Sequence, residues 1–206
     1  MPSTLSPMPK RSNPYERADR YTQQARERGY PARSVFKLED LDRRASLLNA
    51  GMHVLDLGAA PGSWTRYAAE QVGPSGRVLA VDLSPLEIAP AANVLALQGD
   101  AFDLADEALA TFAPYDVVLS DMAPATTGQR STDAIRSAAL VERAIAVADA
   151  LAKPGSSFVA KLFMGAEYDA VRALVQERYA SLRTLRPEGV RKQSVEVFLV
   201  ATGRRG

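Results

Sequence analysis

Residues 54–66 read VLDLGAAPGSWTR. An apolar run carries Asp56 near its end, and a Gly-Ala-Ala-Pro-Gly loop opens before a helix-like segment. Strand, glycine turn and helix in succession begin many nucleotide-binding sheets, whose ligands sit beyond the carboxyl ends of the strands. The loop narrows the choice of ligand. It offers only Gly58 and Gly62, short of the three-glycine dinucleotide fingerprint. Pro61 has no N–H to give a pyrophosphate, and the lysine of a phosphate-gripping P-loop is missing. The loop permits close backbone approach but is poorly built for phosphates. That argues against a nicotinamide oxidoreductase.

Around the loop, short apolar runs alternate with helical stretches. The runs fall at 53–57, 77–82, 94–98, 116–120, 157–163 and 195–201, with a further strand near 181–186. Helices fit 63–72, 104–112, 133–152 and 167–179. This alternation predicts an α/β, Rossmann-like fold: a mostly parallel, seven-stranded sheet flanked by helices. Runs such as Val117-Val118-Leu119 suit strands buried on both faces.

The chain has 206 residues, 47% of them hydrophobic, enough for one domain with a real core. It has no cysteine, which excludes disulfides and thiolate chemistry. His53 is the only histidine, so no multi-histidine metal site is expected. There is no apolar signal core at the N-terminus and no membrane-length apolar run. A soluble, cytoplasmic protein is expected. The net charge of +1 hides an uneven distribution. Residues 1–46 hold ten Lys/Arg and six Asp/Glu, 47–182 hold nine and sixteen, and 183–206 hold six and two. Basic ends around an acidic middle suit a polyanionic partner, or an ordinary solvated surface.

Residues 1–12 read as a disordered lead-in, 13–48 as a basic helical arm and 49–206 as the main domain. Asn13, Pro14 and Glu16 make a helix start, and Gly29 a stop. A second helix over 32–48 carries Val35, Leu38, Leu41, Ala45 and Leu48 at helical spacing. Lys37 lies at the edge of that stripe, where a snorkelling lysine is the simple explanation.

Three acids fall at or near successive strand ends. Besides Asp56, Asp82 closes the second run, 20 residues after Gly62, where an acid can take both ribose hydroxyls. Asp100 follows the third run, where an acid could accept from an adenine amino group. Turn residues are the bland alternative for each. Together with the loop they describe a ligand with ribose and adenine, no phosphate and a cationic sulfonium: S-adenosylmethionine. The segment Asp121-Met122-Ala123-Pro124 lacks the Pro-Pro-aromatic turn of amine methylation, and pyrimidine C5 methylation needs a cysteine. A hydroxyl acceptor remains. Lys161 and Glu196 each interrupt an apolar strand. Either they serve the chemistry, or they form a buried Lys–Glu pair joining adjacent strands.

Lys37, Asp121, Lys161 and Glu196 together resemble the Lys-Asp-Lys-Glu tetrad of the RrmJ/FtsJ family of RNA ribose 2′-O-methyltransferases. The likeness runs from Asp19 to Gly203. It includes Asp19-x-Tyr21, Gly29-Tyr30, Arg33 to Leu38, the cofactor loop Asp56 to Trp64, Ser120 to Pro124, Lys161-Leu162-Phe163 and Glu196 to Gly203. The resemblance implies a class I S-adenosylmethionine-dependent methyltransferase fold. It also implies cofactor contacts at Asp56, Gly58, Gly62, Trp64, Asp82, Asp100 and Asp121, and a uridine of the 23S rRNA A loop as substrate. Ala125 and Gly189-Val190 depart from the family's usual Asn and Ala-Ser at those places. On this reading Arg17, Arg20, Arg26, Arg28, Arg33 and Arg191 grip RNA phosphates, and Tyr15, Tyr21 and Tyr30 stack on bases. The protein would act as a monomer, with rRNA of the large ribosomal subunit as its partner. Ribose methylation of tRNA or another rRNA site, and a non-catalytic RNA-binding assembly factor, are the alternatives.

Overall fold

The computed structural model describes residues 14–188, 190 and 194–206, with side chains from residue 20 onward. The lead-in at 1–12, Asn13 as a cap, the side chains of Tyr15, Glu16, Arg17 and Asp19, and Gly189 and Arg191 lie outside the described residues. Seven strands form one sheet: β1 His53–Leu57, β2 Arg77–Asp82, β3 Val94–Gln98, β4 Tyr115–Ser120, β5 Ala152–Phe163, β6 Tyr179–Leu185 and β7 Glu196–Arg204. Their order is β3-β2-β1-β4-β5-β7-β6. The first five run parallel, and β7 is antiparallel to both its neighbours. The helices are α1 Pro14–Glu27, α2 Val35–Ala45, α3 Ser63–Val72, α4 Asp106–Leu109, α5 Arg130–Leu151 and α6 Tyr168–Arg178. No helix among the described residues is long and apolar enough to cross a membrane.

Strand alternation splits the core in two. Leu55, Leu57, Val118, Phe158, Ala160 and Leu199 face α5 and α6. Val54, Val117, Leu119, Val159, Phe198 and Val200 face the other way, toward Leu38 and Leu41 of α2 and Trp64 of α3. With period two, Asp56 and Lys161 fall on the α2–α3 face. Because α2 shares this core, the boundary expected at 48/49 cuts through one hydrophobic cluster.

Among the element bounds that differ from expectation, three do so for an identifiable local reason. Asp100 turns the chain through its side chain and its carbonyl, which accept from Phe102, Asp103 and Leu104 N–H groups. That turn competes with helix, and α4 shrinks to four residues. Asp42 accepts from the amides of Leu47 and Leu48, and Ser46 adopts φ +50, so α2 stops at Ala45. Finally, β5 begins directly after α5. Lys153-Pro154-Gly155 lie between the expected helix and strand; the pairing with β4 shifts register between Tyr115 and Val117 and absorbs them as an irregularity.

Candidate active site

The carboxyl ends of β3, β2, β1 and β4 carry Asp100, Asp82, Asp56 and Asp121 in that spatial order, because those strands are neighbours. The glycine loop crosses above them. Gly58 has φ +77, and a side chain there would meet the Met122 backbone nitrogen at 2.6 Å. Gly62 has φ +112 at the start of α3, and Ile88 fills the space beside it. Both glycines make room for this chain's own atoms.

Asp82 orders the loop from below. Its Oδ2 accepts from Ala60 N at 2.9 Å and its Oδ1 from Ser84 N at 2.8 Å. Each oxygen keeps a second lone pair for a ligand hydroxyl. Asp100 uses Oδ1 in its turn, and the exposed Leu83 and Phe102 follow these two acids. Both apolar residues were missed in the sequence, where a lone apolar residue after a strand carries no signal of its own. Asp56 is fully buried, with Oδ2 accepting from Thr65 Oγ1 at 2.7 Å. Burial pushes its carboxyl up to about 7; Thr65 opposes the shift, and Asp121 and Asp82 add to it. An acid whose folded pKa exceeds its unfolded value stabilises the native state when protonated. That contribution is complete below about pH 4 and is lost as pH rises through 7. Asp56→Asn is therefore expected to melt higher than the parent at pH 8, by about 3 °C or more, with the gap closing toward pH 5. Thermal melts across that range check it.

Trp64 contributes less to the loop than its position suggests. Its indole N–H donates to Ser34 O at 2.9 Å, and its ring packs on Phe198 with centroids 5.8 Å apart. Only its backbone, in the first turn of α3, remains near the loop.

The four tetrad residues resolve into two ion pairs around Phe198. Lys161 Nζ donates to Asp121 O at 2.6 Å and lies 2.8 Å from Asp121 Oδ1, which is misaligned for a hydrogen bond. Lys37 Nζ donates to Glu196 Oε1 at 2.5 Å and lies 5.6 Å from the centre of the Phe198 ring. In the sheet, Lys161 registers with Phe198 and Glu196 with Phe163. Lys161 and Glu196 thus share a face without pairing, and the Lys–Glu pair weighed from the sequence does not form. Lys37 does not snorkel either; its side chain is only 14% exposed. The reason is α2: packed by Leu38 and Leu41, it turns Lys37 toward the sheet. An ammonium has three N–H groups. One of those on Lys161 donates to Asp121 O and none is aligned on Oδ1, so N–H groups remain for another acceptor.

The basic arm divides. Arg20 and Arg26 are exposed, as phosphate contacts require. Arg28 is held by a bidentate pair with Glu39 and lies over the Tyr30 and Phe36 rings, so it serves the arm's own packing. Arg33 is half-buried at the turn before α2. Tyr30 is core, with its hydroxyl donating to Glu70 Oε2 at 2.6 Å, and cannot stack on a base. Tyr21 packs on Phe36, ring centroids 5.5 Å apart. A groove of about 520 Å³ between α3 and 88–94 is lined by none of the tetrad or strand-end acids.

Sheet order, glycine loop and strand-end acids define a class I S-adenosylmethionine-dependent methyltransferase fold. The FtsJ-like methyltransferase family model matches residues 30–204. The chain belongs to that family. It is 54% identical over 202 residues to ribosomal RNA large subunit methyltransferase E of Sorangium cellulosum (strain So ce56), covering 98% of this chain and 94% of the relative. It is 48% identical to the protein of the same name from Desulfatibacillum aliphaticivorans, covering 91% of each chain. A solved Plasmodium falciparum structure described as a ribosomal RNA methyltransferase superposes with a TM-score of 0.75 at 22% identity, covering 86% of this chain and all of that one. The O-methyltransferase TomG from Streptomyces achromogenes, solved with SAM, gives 0.56 at 18%, covering 92% and 90%. At such identities the two structures speak for the fold alone.

Proposed function

We propose that this protein transfers the methyl group of S-adenosylmethionine to a ribose 2′-hydroxyl of 23S rRNA, at a uridine of the A loop in the large ribosomal subunit. The observation that carries the reading is the Lys161–Asp121 pair, set beside Lys37–Glu196 at the end of the cofactor loop. The cofactor's sulfonium supplies an already activated methyl group. The chain's residues hold and orient. Asp82 fits the ribose hydroxyls, Asp100 the adenine amino group, and Leu83 and Phe102 offer apolar surface to the adenine ring. Lys161 directs an N–H not taken by Asp121 at the acceptor oxygen, or in neutral form takes its proton. Lys37, fixed by Glu196, borders the same oxygen and holds it in line. Arg20 and Arg26 meet the RNA backbone. The ribosome of the cytoplasm is the setting this substrate implies.

Radiolabelled methyl transfer to undermethylated large subunits, with mapping of the modified nucleotide, tests the proposal. Label on a uridine ribose of the A loop is expected. Label on tRNA or at a base would overturn it. Separately, Asp82→Ala is expected to weaken cofactor binding by about tenfold or more, since two ribose hydrogen bonds and the loop's anchor are lost together. Unchanged affinity by calorimetry would take Asp82 out of that role.

A further inference from the structure

Asp56 is the most deeply buried carboxylate among the described residues. Asp40, Asp42 and Asp133 are also buried, but their oxygens are taken by guanidiniums, amides or hydroxyls. Asp56 has one partner, the Thr65 hydroxyl on Oδ2, while Oδ1 is buried with none. The charged groups that act on it are both acids: Asp121 from β4 and Asp82 from β2. From α3 it meets only the uncharged Thr65. The two lysines on the same face are engaged elsewhere, Lys161 on Asp121 and Lys37 on Glu196. A bare buried oxygen among like charges is costly to keep. It makes sense beneath a site that receives a cation.

We propose that Asp56 is a specificity-determining residue that carries a proton on Oδ1 in the empty site, releases it to solvent when a sulfonium cofactor binds, and thereby favours that cation over the neutral thioether product. This rests on S-adenosylmethionine being the cofactor. On binding, the Oδ1–H bond breaks, its electron pair stays on oxygen and the proton passes to solvent. During transfer the carbon–sulfur bond breaks with both electrons left on sulfur, a carbon–oxygen bond forms, and the hydroxyl proton departs. Sulfur is then neutral. The carboxylate, no longer facing a sulfonium, recovers a proton from solvent, and the product loses the part of its electrostatic hold that the charged sulfur supplied.

With burial pushing its carboxyl up to about 7, Asp56 is expected to carry its proton below that pH when no cofactor is bound. Affinity for S-adenosylmethionine is therefore expected to rise about tenfold per pH unit below that value and to level off above pH 8. Affinity for S-adenosylhomocysteine should gain nothing over the same range. Calorimetry on the full chain at pH 6, in two buffers of different ionisation enthalpy, reads the proton directly. About one proton released with S-adenosylmethionine, and none with S-adenosylhomocysteine, is the expected result. Asp56→Asn should abolish the release and narrow the preference between the two ligands by about tenfold or more. Thr65→Val keeps the carboxyl, removes the hydrogen bond that favours its charged form, and should move the pH profile upward. Equal proton release by both ligands, or release that survives in Asp56→Asn, would overturn the role of Asp56 alone. Failure of either ligand to bind at any pH would overturn the cofactor reading, and the proposal with it.

Discussion

Lys161→Ala is expected to lower methyl transfer by about 10²–10⁴-fold while leaving cofactor affinity nearly unchanged. The side chain stands on β5, one strand beyond the strand that Asp121 ends. Its loss removes the group facing the acceptor oxygen and leaves the binding acids in place. It also strips a largely buried carboxylate of its counter-ion, which on its own destabilises a protein. Lys161→Arg separates the two effects. Arginine preserves the charge beside Asp121 but does not give up its proton. If Lys161 acts as proton acceptor, the arginine variant should melt close to the parent and remain about a hundredfold slow or worse. Single-turnover assays with melting curves on both variants check this. Near-parental turnover in the alanine variant would remove Lys161 from the chemistry, and near-parental turnover in the arginine variant would make it a charged guide.

Gly58→Ala should be the most damaging single methyl group added to the loop. At φ +77 an L side chain is strained, by about 1–2 kcal/mol. The added carbon would also lie 2.6 Å from Met122 N and 2.7 Å from Met122 Cα, which are backbone atoms with no rotamer to yield. Nor is that backbone free to withdraw, because Asp121 N donates to Leu57 O at 3.1 Å and Gly58 N to Val81 O at 2.9 Å. A loss of about 3 kcal/mol or more is expected, a fall in Tm of about 6–12 °C. Displacing Met122 also moves Asp121 and the lysine it holds, so methyl transfer should fall further than unfolding explains. Gly128→Ala is the control, since Gly128 has φ +82 but nothing within 4 Å of an added carbon. It should lose only the conformational part. Equal losses in the two variants would show that the Met122 contact is not the cause.

The fold was largely legible because its central strands, β1, β2 and β4, are short, doubly buried and bounded by turn residues. β1, β2, β3 and α3 fall on the residues where periodicity put them. What escaped were places where a side chain overrides a local pattern, as Asp100 does at α4 and Asp42 at the end of α2. The candidate site was legible as a set of residues, and less so as a set of partners. Nothing in a one-dimensional pattern tells Lys161 to choose Asp121 over Glu196; that follows from the register of β7, which sets Glu196 opposite Phe163. Tyr30 was expected to stack on RNA bases but is core. Its partners lie beyond the arm, at Tyr67 and Glu70 of α3, and no local pattern in the arm announces them.

The placement of β7 has a consequence for the order in which this chain takes shape. β6 touches the sheet only through β7, although it precedes it in sequence. Until the last strand slides between β5 and β6, the backbone donors and acceptors of β6 have no ladder, and the edge of β5 stands open. The same event delivers Glu196 to Lys37, a contact across 159 residues. Long-range closure of this kind comes late and carries the largest entropic cost. Completion of the sheet and completion of the tetrad are therefore one step. A chain halted before Glu196 would present a bare strand edge together with an unpartnered Lys37, combining inactivity with a tendency to self-associate.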